Sequence, residues 1–282
     1  MTVLVTGATG RVGSRLIPRL IANGVVVRAL VRDSTRASAL AEQGAEFVVG
    51  DLRDQESVET AMDGVEAVLH LGAAFRGVSP EEAERINNVS TVSLAEAAVA
   101  RGVRRFVFTS TNLVYGPGRG RPAVESDELL APASASYPSA KLKAERALQD
   151  IHEKTGLDLR ILRLAFVYGD GDPHLREAMR WARNWPAHKR LHMVHHADVF
   201  QAVFLALRSE VGSWRAFNVA DDAPVTTAEL FELNGEHMPE ERSLQVLDDP
   251  WEGIVSTRTI RSMLGFRPFY PTVWTARSSG CG

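Results

Sequence analysis

The stretch Thr6-Gly-Ala-Thr-Gly-Arg-Val-Gly13 constrains the fold of this chain more than any other. It follows Val3-Leu-Val5, a short apolar run of buried-strand character. It opens Arg11 to Ala22, where Val12, Leu16 and Leu20 recur at helical spacing. A strand that turns on glycines straight into a helix is the first part of a βαβ unit. Glycines at 7, 10 and 13 allow the tight turn, the close approach of a ligand to backbone, and the packing of helix on strand. The N–H groups at the positive end of such a helix suit a pyrophosphate. Thr9, Arg11 and Val12 share that turn and join the glycines as candidate contacts to a dinucleotide. The spacing is G-x-x-G-x-x-G, not the more common G-x-G-x-x-G, so the turn needs support from the rest of the chain.

That support comes from alternation. Strands are expected at Val25 to Val31, Glu46 to Val49, Val65 to Leu71, Arg105 to Thr109 and Leu157 to Leu164. Helices are expected at Ala37 to Gln43, Gln55 to Met62, Pro80 to Arg101 and Ser139 to Lys154. The order implies right-handed crossovers and a parallel sheet covered on both faces. The expected fold is therefore α/β, a Rossmann-type doubly wound parallel sheet. After Tyr168 the pattern changes. Gly169-Asp-Gly-Asp-Pro173 is a loop, helices are expected at Leu175 to Trp185 and Val199 to Leu207, and Phe217 to Val219 is a short strand. Thr226 to Leu233 reads as a capped helix. The expected division is a dinucleotide-binding domain over 1–168 and a small C-terminal substrate lobe over 169–282, with elements of the two interleaved.

Composition narrows the partner. In 282 residues the net charge is -3, without a Lys/Arg run of the kind that reads nucleic acid or a membrane surface. The single cysteine, Cys281, provides no disulfide framework and no thiolate cluster. With a strand starting at Thr2 and no run of about 18 apolar residues, a soluble cytoplasmic protein with a small-molecule substrate is expected. His188, His192, His195 and His196 cluster in sequence, but a metal site needs convergent ligands, and none is expected.

Tyr137 and Lys141 supply the chemistry. They stand four residues apart in Tyr137-Pro-Ser-Ala-Lys141 and so share one face of a helix. An ammonium beside a phenol favours the phenolate and is expected to lower its pKa, so that a proton can pass to or from a carbonyl or alcohol oxygen. At the end of the second strand stands Val31, with Arg32 beside it, where an acidic side chain would favour NAD. Arg32 can pair with a 2'-phosphate, so NADP is expected, with NAD as the alternative. Asp33, one residue on, is expected to cap the following turn. Asp51 and Leu52 are placed for the adenine. Leu71, Gly72, Ala73 and Ala74 provide small residues or backbone where a cofactor passes close by.

The chain resembles the extended short-chain dehydrogenase/reductases of the NAD(P)-dependent epimerase/dehydratase type over nearly its whole length. The resemblance is carried by Gly50-Asp-Leu-Arg-Asp54, His70-Leu-Gly-Ala-Ala74, Ile86-Asn-Asn-Val-Ser-Thr-Val-Ser-Leu-Ala-Glu-Ala-Ala98 and Arg105-Phe-Val-Phe-Thr-Ser-Thr-Asn-Leu-Val-Tyr-Gly116. Arg163-Leu-Ala-Phe-Val-Tyr-Gly169, His196-Ala-Asp-Val199 and Leu264-Gly-Phe-Arg-Pro268 add to it. It implies that Thr111, three residues before the Val of Val-Tyr-Gly, holds the substrate oxygen in preference to Ser110. It further implies that Tyr137 moves the proton, that Lys141 binds the nicotinamide ribose, and that Asn87 supports the site. Thr109, Ala165 and Val167, at strand ends, complete the candidate cofactor contacts. Phe75, Asn112 and Trp181 are candidate substrate contacts. Family members commonly pair into homodimers through their two long helices, here Pro80 to Arg101 and Ser139 to Lys154.

The departures matter as much. Asn112 and Leu113 stand where dehydratases of the family carry an Asp-Glu pair. Arg163-Leu-Ala replaces the usual Arg-Pro, and Gly169 to His195 is short for a nucleotide-sugar pocket. Arg180, Arg183, Lys189 and Arg190 could grip a phosphate or simply face solvent. Trp181 and Trp185 share a helix face as core packing or as a lid. The expected function is an NADP-dependent oxidoreductase acting on a carbonyl or secondary alcohol of a sugar-like or biosynthetic small molecule. The alternatives are a nucleotide-sugar epimerase that retains NAD, and a non-catalytic NADP-binding sensor.

Overall fold

A computed structural model describes residues 1–75, 77–211 and 214–281. The strands are β1 (Thr2–Thr6), β2 (Val26–Val31), β3 (Glu46–Val49), β4 (Ala67–His70), β5 (Arg105–Thr111), β6 (Asp158–Leu164), β7 (Phe166–Tyr168), β8 (Arg190–Leu191), β9 (Met193–His195), β10 (Arg215–Val219) and β11 (Val225–Thr226). The helices are α1 (Arg11–Ala22), α2 (Ser34–Ala41), α3 (Gln55–Ala61), α4 (Pro80–Glu84), α5 (Ser90–Ala100), α6 (Ser136–Thr155), α7 (His174–Ala182), α8 (His196–Arg208), α9 (Thr227–Leu233), α10 (Glu240–Ser243), α11 (Arg258–Leu264) and α12 (Val273–Ser278).

Seven strands form one parallel sheet in the order β3-β2-β1-β4-β5-β6-β10. Its centre is buried on both faces, which is why β4 and β5 contain no exposed position. On one face Leu16, Ile17 and Leu20 of α1 pack with Ala202, Val203 and Ala206 of α8. On the other, Val58 of α3, Leu94 of α5 and Leu148 of α6 cover Leu4, Phe106 and Ile161. The order reverses between β1 and β4, and at such a switch point the crevice outside the carboxyl ends of the strands is open to a ligand.

Phe217 to Val219, as part of β10, pairs with β6 and extends the central sheet. The helix α8 before it provides the crossover that a parallel strand requires. The remaining late elements form two short strand pairs, β7 with β9 and β8 with β11, against α7 and α9. The expected long helix from Pro80 runs unbroken to Ala100, but not as α-helix throughout. A π-helical turn at Arg85–Val89 separates α4 from α5 and contains the buried Asn87. One extra residue per turn re-aims a side chain, and such turns occur at functional sites.

A buried polar column fixes α6 against the sheet. Arg163 of β6 donates to Glu145 of α6 through Nε (3.1 Å) and Nη2 (2.7 Å), and through Nη1 to the Tyr115 hydroxyl (2.8 Å). Tyr115 donates in turn to Asn218 Oδ1 at 2.8 Å. Removing Glu145 would leave a buried guanidinium without its counter-charge. In urea unfolding, Glu145→Ala should therefore cost about 3–5 kcal/mol, whereas Arg101→Ala, in an exposed pair with Glu59 and Asp63, should cost less than about 1 kcal/mol.

Candidate active site

The glycine turn sits at the switch point, and its geometry admits little but glycine. Gly7 has φ +72°, and a Cβ there would lie 2.6 Å from Gly72 N, in the turn that follows β4. A Cβ on Gly13 would lie 2.4 Å from the Gly7 carbonyl oxygen. Gly10 caps α1 with extended backbone, and neither a side-chain cap nor an acidic residue occupies the first turn. The helix end thus presents its positive pole with no carboxylate of its own, as a pyrophosphate requires. The Arg11 side chain turns away, pairing with Asp172 (3.2 Å) and Glu177 (2.9 Å), so only its backbone remains for a cofactor. Thr9 is half-buried on the same turn, and Val12 packs into the core.

A hydrogen-bond relay ties this turn to its neighbours. His70, at the end of β4, contacts Thr6 Oγ1 through Nδ1 (2.5 Å) and Thr91 Oγ1 through Nε2 (2.9 Å). Thr91 donates to the Asn87 carbonyl at 3.0 Å, so it accepts from His70 Nε2, and Thr6 donates to Nδ1. This is the neutral imidazole, and complete burial, together with Lys141, pushes its pKa well below the usual value. Asn87 accepts from Ala74 N–H (2.8 Å) and donates to the Ala74 carbonyl (2.7 Å). Its amide thereby shapes Leu71–Ala74 and supports that turn from behind.

Tyr137 and Lys141 lie in the first turns of α6, which begins at Ser136, three residues before the expected start; Pro138 is tolerated there because first-turn N–H groups have no helical partner. Lys141 Nζ donates to the Thr109 carbonyl at 3.0 Å and lies 4.4 Å from the Phe108 ring centroid. Thr109 Oγ1 donates to the His70 carbonyl at 3.0 Å. Burial raises the Tyr137 pKa and lowers that of Lys141 to about 7, with the Glu145 charge opposing the latter. The expected lowering of the phenol is thus corrected: desolvation governs it, and the lysine is turned to Thr109. Thr111 ends β5 and accepts from Leu113 N–H at 3.3 Å, leaving its own hydrogen to donate. Ser110 points to the other face of the strand, its hydroxyl buried without a hydrogen-bond partner among the described residues.

Around this centre the remaining candidates divide. Arg32 is exposed, and Asp33 accepts from Thr35 N–H (2.8 Å) as the cap of α2. Asp51 is held by Arg53 at 2.6 and 2.8 Å, a contact that with the charge of Arg32 draws its pKa to about 2. Leu52 and Leu71 pack on the two core layers; Gly72 and Ala73 line the turn between them and Ala74. Ala165 N–H donates to the Val219 carbonyl, and the Val167 carbonyl accepts from His174 Nδ1 at 2.9 Å. Asn112 donates to the Gly253 carbonyl at 2.7 Å, tying down the segment around Trp251. Trp181 and Trp185 pack on the core formed by α7 and α9. Arg183 pairs with Glu236, Lys189 with Glu252, and Arg190 with the Pro250 carbonyl and the Trp251 ring, so these three cations are already engaged. His192, His195 and His196 bind separate partners, and among the described residues no group of three or more His, Cys, Asp or Glu could hold a metal.

Sequence reasoning missed the neighbours of Phe75. The Phe75 ring meets Tyr137 edge-on at 4.6 Å, and His174 stacks on Phe166 at 4.0 Å. No spacing rule joins residues 75, 166 and 174; only the return of β7 and α7 to the sheet edge does.

The Lys141 shift has a consequence for stability. An unfolded lysine titrates near 10.5, so between about pH 7 and pH 10.5 the unfolded chain binds a proton that the folded chain does not. The penalty for burying this amine is complete below pH 7 and fades as pH rises to 10.5. Urea unfolding across that window should show wild type gaining on Lys141→Met, by at most about 1.4 kcal/mol per pH unit.

Comparison with known proteins agrees with this geometry. A Stigmatella aurantiaca 4-hydroxy-2-methyl-3-oxo-4-farnesyl-3,4-dihydroquinoline-1-oxide ketoreductase is 31% identical, over 80% of this chain and 70% of its own length. A short-chain dehydrogenase/reductase superfamily protein from Agrobacterium tumefaciens, solved with bound NAD, superposes with a TM-score of 0.81 at 25% identity, covering 99% of this chain and 96% of that one. The Thermus thermophilus UDP-glucose 4-epimerase complex with NAD gives a TM-score of 0.76 at 28% identity, with 95% and 94% covered. The model of the NAD dependent epimerase/dehydratase family matches residues 3–220. This chain belongs to that family.

Proposed function

We propose that this protein is an oxidoreductase that interconverts a carbonyl and a secondary alcohol of a small molecule, with NADP(H) favoured over NAD(H). The observation that carries the reading is the make-up of the groups beside Thr111. Asn112, bound to Gly253, and Leu113 exchange no protons near neutral pH. Tyr137 is then the group suited to proton transfer, and burial keeps it in the phenol form.

The residues fit a dinucleotide. Gly7, Gly10 and Gly13, with the first-turn amides of α1, would hold the pyrophosphate in a cradle that a Cβ would fill. Asp51 and Leu52 would flank the adenine, Arg32 would meet a 2'-phosphate, and Lys141 would hold the nicotinamide ribose. When bound, the reduced dinucleotide supplies the hydride that converts a carbonyl carbon to a carbinol carbon. Thr111 donates to the substrate oxygen and orients it. Tyr137, partly exposed, gives that oxygen its phenolic proton and regains one from solvent. The ketoreductase relative supports the reductive direction.

A second reading, epimerisation of a nucleotide sugar on retained NAD, is favoured by the NAD in both structural neighbours. Against it, Arg183 and Lys189 are already paired with Glu236 and Glu252, which leaves fewer cations for a diphosphate.

Two measurements test the proposal. Tyr137→Phe should retain dinucleotide affinity and lose about 10²-fold or more in kcat, with Thr111→Ala also slow and Thr111→Ser close to wild type. Absorbance at the nicotinamide band should show net cofactor consumption, and conversion of UDP-glucose without it would establish the epimerase reading instead. Separately, titration should show NADPH binding more tightly than NADH, and Arg32→Ala should lose about tenfold for NADPH alone. An unchanged preference in Arg32→Ala would remove Arg32 from cofactor choice.

A further inference from the structure

We infer that the substrate carries its carbonyl or alcohol on a planar, uncharged ring system, seated against Phe75, His174 and Phe166. This deepens the oxidoreductase reading and rests on it. Phe75 follows the turn after β4 and is 42% exposed, although its ring touches the candidate proton donor. Its contacts with Tyr137 (4.6 Å, 67°) and with His174 (6.2 Å, 87°) are both edge-to-face. His174 in turn lies flat on Phe166, at 4.0 Å and 19°. The four rings make a continuous aromatic wall that begins at the Tyr137 phenol.

The wall is held in place. The Nδ1–H of His174 donates to the Val167 carbonyl, which sets the plane of the imidazole, and His174 N–H donates to Asp172 Oδ1 at 3.0 Å. Phe166 packs against both small cores of the late elements, so its ring has a firm back. Rings fixed in this way favour a flat ligand in stacked or edge-on contact and fit a flexible chain less well.

The Thr111 side of the site has the same character. Leu113, in the turn that Thr111 caps, is 42% exposed. The Asn112 amide nitrogen, which could otherwise meet a hydroxyl, is bound to Gly253. A sugar can lay its C–H face on an aromatic ring, but its hydroxyls need partners in the ring plane, and hydroxyls left unmatched are costly to desolvate. An uncharged ring ketone needs one polar contact, at its oxygen, and Thr111 with Tyr137 provides it.

The test reads binding by calorimetry, so it does not depend on turnover. The protein, saturated with whichever nicotinamide dinucleotide binds more tightly, is titrated with 2-tetralone, with 2-butanone and with UDP-glucose. We expect 2-tetralone to bind at least about tenfold more tightly than 2-butanone, and UDP-glucose to bind more weakly than 2-tetralone. Phe75→Leu keeps an apolar side chain at an exposed position but removes the ring; it should weaken 2-tetralone about three- to tenfold, and Phe75→Tyr should restore it. Dinucleotide affinity should be the same in all three proteins. Tighter binding of UDP-glucose, no 2-tetralone binding at about 1 mM, or an affinity unmoved by Phe75→Leu would each overturn the inference. A ring site that depends on Phe75 in a protein showing no net cofactor turnover would instead count against the oxidoreductase reading alone.

Discussion

The neutral imidazole of His70 is the interaction on which the site is built. It lies at the end of β4, between the hydroxyls of Thr6 on β1 and Thr91 on α5, and its own carbonyl takes the Thr109 hydroxyl of β5. Four elements that meet at the switch point are thereby joined at one buried residue, three through its side chain and β5 through its main-chain carbonyl. A charged imidazole would have two donors, and Thr6 would have to give up its role as donor to Nδ1. Burial prevents that, because the charged form is expensive in a fully desolvated place. Through Thr91 and Asn87 the same relay reaches Ala74, and through Thr109 it reaches Lys141. The turn after β4 and the Lys141 amine are thus held by one network.

Desolvation also sets the acid–base character of α6. Along its inner face Lys141 is followed one turn later by Glu145, which Arg163 holds in a buried fork. Desolvation lowers the Lys141 pKa more than the Glu145 charge raises it. Tyr137 is pushed in the opposite sense, toward a phenol that holds its proton. In both groups burial disfavours the charged form, which leaves a weakly basic amine and a phenol that holds its proton in successive turns.

Much of this was legible in the sequence, for identifiable reasons. Period and glycine placement are local, so α1 and β3 were expected at the bounds they have, and Thr226 with Glu229 forms the expected helix cap. Asp33 caps α2 as its position next to a strand end implied. What was not legible depends on contacts between distant residues. The π-helical turn is invisible in a continuous helical pattern, and so is the partner of its Asn87, Ala74, thirteen residues away in the turn after β4. The membership of β10 in the central sheet required knowing that α8 packs beside α1. The sign of the Tyr137 shift followed from burial, which a spacing of four residues does not reveal.

Asp172 joins the two halves of the site. Its carboxylate is almost wholly buried, and burial alone would raise its pKa; His196, the His174 N–H and Arg11 outweigh that and keep it ionised. Oδ1 accepts from Arg11 (3.2 Å) and from His174 N–H (3.0 Å), while Oδ2 meets His196 Nε2 at 3.0 Å. Arg11 is the first residue of α1, in the glycine turn, and His174 is the first residue of α7, in the aromatic wall. One carboxylate therefore fixes the distance between the end of the helix that would face a pyrophosphate and the wall that would face a substrate. Glu177, one turn into α7, adds a second grip on Arg11 at 2.9 Å. Two charge pairs across this seam resist its opening more than either would alone, because each holds the other's side chains in place. The consequence is positional: the start of α7, with His174, and the start of α1, with the glycine turn, are held to one carboxylate.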